Sequence, residues 1–347
     1  MKKERVYYFD VLRIVAIFAV VMIHASSDFV SSYDWNTTEF ILGNIFDSIS
    51  RIGVPLFLMI SGALMLDETR EFDLKKRVVQ LVWLFLAWSL FYSVVYSVLM
   101  PLMHGETISV SNFISNFIKG HYHLWYMWAI IGLYLLTPIL RCFVKIENKK
   151  VVLYFIISSL IVAFTSPIIQ LLLEEIDIFG ISEGVLSAYT YIIEQLNLNF
   201  LSGLTAYYLS GWYIANTDIN KKPANYIYAL GVIGLICTIL LTIAFPDKYA
   251  LTYSNNSIFV FIYSLAVFVL VKKIFVAHSS PNKFVLTLSK LTFGVYLIHV
   301  VILSVLQEIF VKNVFFMPVI WLLTIIISFG FALCVSKIPF IKKFVKA

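Results

Sequence analysis

Three ionisable residues stand inside the first long apolar run of the chain: Asp10, Arg13 and His24, within the stretch Tyr8–Ser27. Ionisable groups in hydrocarbon cost a few kcal/mol or more each, so inside a membrane span they mark function by default. Their spacing is that of a helix face. At about 100° per residue, the step from Arg13 to His24 returns to within roughly 20° of the same side, and carries the chain roughly 16 Å along the axis. Asp10 lies one turn before Arg13 and can pair with it, which lowers the cost of the guanidinium. An imidazole suits proton transfer near neutral pH. A guanidinium suits phosphate or carboxylate. Two plainer explanations compete: the stripe could hold helices together through buried hydrogen bonds, or Lys2–Ser27 could be a cleaved signal peptide.

More such residues follow at similar depth. Arg51 sits in the second apolar run, roughly 22 Å above its inner end, and His24 roughly 21 Å above the corresponding end of the first. Asp47, one turn before Arg51, is its expected ion partner. The stretch Gly120-His-Tyr-His-Leu-Trp-Tyr-Met-Trp128 opens the fourth run. Aromatic residues at a membrane boundary commonly form an interfacial belt, but His121 and His123 among them can face a cavity. His299 lies within a later run, roughly 16 Å from its inner end. A lone buried histidine is ordinarily a satisfied structural group; two at one depth, with Arg51, outline a chamber.

The elements that must position these residues are membrane helices. Hydrophobic residues make up 61% of the 347 and charged residues 13%, half the usual charged share of roughly 25% in soluble domains. The expected fold is an all-α polytopic membrane protein, one bundle of about ten helices forming a single domain over residues 1–347. The spans are placed at Phe9–Phe29, Phe40–Leu66, Val78–Met100, Tyr122–Phe143, Val151–Leu173, Leu198–Ala215, Tyr226–Phe245, Ser257–Val271, Val285–Phe310 and Phe316–Val335. With that alternation, nearly every lysine and arginine of the connections falls on one side, and only Lys119, Lys248 and Lys312 on the other. The positive-inside rule then puts both termini in the cytoplasm. The net charge of +6 follows this placement and is no sign of a nucleic-acid partner. Cys142, Cys237 and Cys334 are scattered at no metal-ligand spacing, and an odd count argues against a disulfide framework.

Two connections carry further signals. Asp67–Arg77, on the basic side, can bind phosphates or serve topology and anionic lipid. Glu174 through Glu194, on the other side, is acidic and long enough for an amphipathic or re-entrant piece that shapes an acceptor site, or it is a solvated loop.

Taken in order, four segments resemble the acyltransferase-3 family of integral membrane acyltransferases. They are Phe9-Asp10-Val-Leu-Arg13 with His24; Ser50-Arg51-Ile-Gly-Val-Pro55-Leu-Phe57 through Ser61-Gly62; His123-Leu-Trp125-Tyr126; and Gly294-Val-Tyr296-Leu-Ile-His299. The resemblance covers essentially the whole chain and is closest to the short members without an appended extracytoplasmic domain. It implies a membrane O-acyltransferase that moves an acyl group, usually acetyl, from cytoplasmic acyl-CoA to a hydroxyl of a cell-envelope carbohydrate or glycolipid. It makes His24 the catalytic histidine, with Arg13 and Asp10 as its partners. Arg51, Ser61, His123, Trp125, Tyr126, Tyr296 and His299 would line the donor and acceptor cavity. Acetyl-CoA would be a co-substrate, with no bound cofactor and no metal, in a bacterial cytoplasmic membrane. One departure stands out: where relatives carry Arg-x-x-Arg after the second span, this chain has Arg70 and then Lys76-Arg77. The residues agree with acyl transfer, because a thioester acceptor hydroxyl needs a base and the Arg13–His24 distance matches an extended pantetheine arm. The alternative is a transporter or exporter of a polysaccharide precursor or small acid. Against it, the sequence shows no paired interrupted helices and no internal symmetry.

Overall fold

A computed structural model describes residues 5–175, 182–196, 203–276, 281–310, 313–339 and 342–344. In chain order the helices are α1 (Tyr7–Ser32), α2 (Thr38–Ser50), α3 (Gly53–Met65), α4 (Leu74–Val94), α5 (Met100–His104), α6 (Val110–Lys119), α7 (Trp125–Phe143) and α8 (Lys149–Ser159). They continue as α9 (Ser166–Glu175), α10 (Ser182–Leu196), α11 (Gly203–Ala215), α12 (Lys221–Ala244), α13 (Tyr249–Thr252), α14 (Ile258–Phe275), α15 (Lys283–Ile309) and α16 (Met317–Lys337). No strand occurs among the described residues. Nine helical stretches there are long and apolar enough to cross a membrane, so the chain is an all-α multi-pass membrane protein. The sixth expected span, Leu198–Ala215, begins in residues 198–202, outside the described ones. Its remainder, α11, is a short helix buried along most of its length.

The centre of the bundle is α1, packed against α2, α3, α14, α15 and α16. Beside it, α3 and α11 cross at backbone contact. A Cβ on Gly62 would fall 1.8 Å from the Tyr208 carbonyl oxygen, and one on Gly211 1.9 Å from that of Met59. Small residues are what allow membrane helices to approach so closely, since packing and not water drives their association. The helix ends at the lysine- and arginine-rich side are tied to one another. Arg141 donates to the carbonyls of Met65 (2.7 Å), Asp67 (3.1 Å) and Arg70 (3.2 Å). Lys272 donates to those of Ile214, Ala215 and Thr217, and Lys149 to that of Asn216.

One span expected to be continuous is broken. Span two stops at Ser50 and restarts at Gly53, because Pro55 has no N–H to give the carbonyl of Arg51. Span four is preceded by α6, which folds back along α4: Ser89 donates to the Phe117 carbonyl at 2.5 Å and Asn116 to Ser97 at 2.9 Å. Gly120 then turns the chain at φ 79°, a left-handed conformation that favours glycine. A Cβ there would also meet the Phe85 ring at 2.7 Å. Irregular backbone at membrane depth is tolerated where it lies in protein or lines a cavity. The expected continuous second span is therefore corrected to an interrupted one. In the acidic connection, α9 and α10 are helices packed on each other, while residues 176–181 lie outside the described ones.

Candidate active site

The polar stripe of α1 is present, and it is tied to more partners than its own helix supplies. Asp10 is fully buried and accepts from Arg5 (Nε 2.7 Å, Nη2 2.6 Å), from Arg13 Nη1 (3.1 Å) and from the Ser289 hydroxyl of α15 (2.6 Å). One carboxylate thus holds two guanidinium groups and a neighbouring helix in fixed positions. Charge-assisted bonds of this kind are about twice as strong as neutral ones. The two arginines stand on the wall of a cavity of about 840 Å³ that opens at the basic end of the bundle. Arg70 and Lys290 add two more cations, and Ser61, Tyr126 and Tyr296 line the deeper part. The volume is in the upper range for small-molecule sites.

Beyond Tyr296 the chain assembles a layer of imidazoles. The break before α7 places His121 and His123 in it, with Nδ1 of one 3.0 Å from Nδ1 of the other, so one donates and one accepts. His121 is stacked between Tyr92 and Tyr96, at 4.7 and 4.6 Å between ring centres. His123 lies 5.5 Å from His299, and His299 5.2 Å from His24. His299 Nδ1 meets two backbone carbonyls, of Tyr296 (2.8 Å) and Val295 (3.2 Å). Carbonyls only accept, so Nδ1 carries the proton, and the buried Nε2, which has no hydrogen-bond partner among the described residues, presents a lone pair. His24 and His121 are the half-buried members of the four, and the Tyr122 ring lies 5.3 Å from that of His24. Among the described residues no three His, Cys, Asp or Glu side chains converge as a metal site.

Arg51 falls at the break of span two, within electrostatic range of His24. Its Nε donates to Asp47 at 2.5 Å, and its guanidinium lies 4.2 Å from the centre of the Tyr253 ring. Tyr253 in turn donates to Asn44 (2.6 Å), and Asn44 to the Ile239 carbonyl (3.1 Å). Arg51 is thereby the end of a network that binds α2 to α12 and α13.

Of the residues singled out in the sequence, Arg13, Ser61, Tyr126 and Tyr296 share the large cavity, and His24, His123 and His299 form the layer beyond it. Asp10 stands behind the cavity wall and positions it. Trp125 is apart from them, 40% exposed on the outside of the bundle, where its ring abuts Tyr126 edge-on. Sequence reasoning missed Arg5, Ser289 and Lys290 as site residues. Arg5 and Lys290 read as topological charges, and nothing local connects Ser289 with an acid far away in the chain.

A helical membrane bundle with a cation-rimmed cavity leading to buried imidazoles has the architecture of an enzyme acting across or within the bilayer. The chain belongs to the acyltransferase-3 family: the family's acyltransferase-domain model matches residues 6–337, nearly its whole length. It is a multi-pass membrane acyltransferase. No curated protein and no solved structure matches it.

Proposed function

We propose that the protein uses acetyl-CoA from the cytoplasm to O-acetylate a hydroxyl of a cell-envelope carbohydrate or glycolipid, in a bacterial cytoplasmic membrane. The observation that carries this reading is the path of the large cavity. Its mouth holds Arg5, Arg13, Arg70 and Lys290, and its depth ends at Tyr126 and Tyr296; the Tyr296 ring borders those of His123 (5.7 Å) and His299 (6.3 Å), and His299 borders His24. The phosphates of CoA carry the charge that such a mouth attracts, and the roughly 16 Å from Arg13 to His24 along α1 lets the pantetheine arm deliver the thioester to the imidazole layer. The lysine- and arginine-rich end is the cytoplasmic one by the positive-inside rule, which is where acyl-CoA is made available.

His24 is the base in this reading, because it is half-buried and stands on the same helix as Arg13, roughly 16 Å beyond it. It takes the proton of the acceptor hydroxyl as the oxygen bonds to the thioester carbonyl carbon. The tetrahedral intermediate then expels the CoA thiolate, and the His24 imidazolium returns the proton to the sulfur, so that ester and free CoA are formed and the histidine is restored.

The second reading, a carrier, draws on the interrupted second span, since broken helices also mark transport pathways. Purified protein given acetyl-CoA labelled in the acetyl group separates the two. Release of free CoA together with label in a glycan fraction supports transfer; neither, alongside uptake of a labelled precursor into vesicles, supports the carrier. Analysis of glycan acetylation in a deletion strain would identify the acceptor.

A further inference from the structure

Past the histidine layer the bundle holds a second cavity, of about 310 Å³, between the far ends of α1, α15 and α16. Its polar wall is Asp28, Ser304, Gln307, Glu308 and Asn313, and Phe310 supplies an apolar face. The first cavity is rimmed by cations; this one carries two carboxylates, two carboxamides and a hydroxyl.

Its position ties it to the imidazoles. Asp28 is one turn beyond His24 on α1, about 40° around the helix. Tyr122, 59% exposed, has its ring 5.3 Å from His24 and lies within electrostatic range of Asp28. On the other wall, the Tyr96 and Ser304 hydroxyls are hydrogen-bonded at 2.9 Å, while the Tyr96 ring stacks on His121 at 4.6 Å. Direct contacts therefore run from the wall of the small cavity into the layer that the large cavity approaches from the opposite side.

We propose that the small cavity is the acceptor subsite and takes one neutral sugar ring, with Asp28 and Glu308 accepting hydrogen bonds from hydroxyls adjacent to the one that His24 deprotonates. This rests on the acyl-transfer reading above. Carboxylates and carboxamides match the paired donors and acceptors of vicinal hydroxyls, and hydrogen bonds to a charged acceptor are the stronger ones. An aromatic face such as Phe310 covers the C–H side of a pyranose. The volume is at the small end of ligand sites, which suits one ring and leaves the rest of a glycan outside. Two carboxylates disfavour an anionic sugar, because like charges brought together repel.

The test uses the purified full chain and three probes: methyl glucoside, N-acetylglucosamine and glucuronic acid. Saturation-transfer NMR reports sugar contact, and titration reports acetyl-CoA affinity on the same samples. The wild type is expected to bind the two neutral sugars in preference to glucuronic acid. Asp28→Ala with Glu308→Ala should weaken neutral-sugar binding about tenfold or more, the loss of one or more charge-assisted bonds, with acetyl-CoA affinity unchanged. Should that variant lose acetyl-CoA binding as well, the near-isosteric pair Asp28→Asn with Glu308→Gln replaces it, and is expected to abolish the preference for neutral over anionic sugar. Neutral-sugar binding that is absent in the wild type, unaffected by both pairs, or no stronger than that of glucuronic acid overturns the subsite. Failure of the wild type to bind or consume acetyl-CoA would instead overturn acyl transfer, and is read independently of the sugar signal.

Discussion

The bundle contains two arginine–aspartate pairs of nearly identical local design, Arg13–Asp10 on α1 and Arg51–Asp47 on α2. In each, an acid with no exposed surface lies one helical turn before its arginine. Their surroundings differ. Arg13 is bound to Asp10 through one nitrogen at 3.1 Å, shares that acid with Arg5, and faces the large cavity. Arg51 is held at 2.5 Å, capped by the Tyr253 ring, and continues into hydrogen bonds that reach α12. The same sequence pattern thus yields one arginine on the wall of a cavity and one set against an aromatic ring of a neighbouring helix end. The surroundings of the pair, and not its residue types, make the difference.

The comparison is tested first through the acids, where the largest effect is expected. Asp47→Ala leaves Arg51 in a closed, mostly apolar setting, and breaking a buried pair this way costs about 3–5 kcal/mol. Thermal unfolding in detergent should show a large drop for Asp47→Ala and a smaller one for Asp10→Ala, whose arginines border the cavity. Equal drops would make the two pairs the same kind of object. The next effect is on ligand binding. Arg13→Ala should weaken acetyl-CoA affinity by about 1.5–3 kcal/mol, the range for a hydrogen bond to a charged group, with little change in melting temperature. Isothermal titration checks this, and an unchanged affinity removes Arg13 from the donor site. Arg51→Lys keeps the charge but loses the planar face over Tyr253, which should cost about 0.5–2 kcal/mol of stability and leave acetyl-CoA affinity as it was. The smallest change is Ser289→Ala. It deletes one of the four hydrogen bonds that Asp10 accepts and leaves both arginines in place, and should appear as a modest loss of both stability and donor affinity.

Much of this was legible in the chain. The helical repeat placed Asp10, Arg13 and His24 on one face, because that face is set by local geometry alone. Counting residues from the basic ends put His24, Arg51 and His299 at one depth, and the structure brings His24 and His299 to 5.2 Å. Arg5 and Ser289 were not legible, since their link to Asp10 is tertiary: one lies before the helix and the other on α15. The break at Arg51 had a visible cause in Pro55, four residues on, and Gly120 marked the break before His121. The first was outweighed by the hydropathy of the run that contains it, whereas the second lies just before the expected start of span four at Tyr122. Trp125, adjacent in sequence to His123 and Tyr126, turns outward because the α7 helix begins at it and carries it to the opposite face.

The central claim is that α1 separates donor binding, at Arg13, from chemistry, at His24. It is tested most directly by measuring acetyl-CoA affinity and acetyl transfer to glycan for His24→Ala beside Arg13→Ala. His24→Ala should bind acetyl-CoA as the wild type does and lose roughly two to four decades of turnover, the share of a general base. Arg13→Ala should show its principal loss in affinity. Wild-type turnover in His24→Ala would contradict the account and leave the stripe as packing between helices.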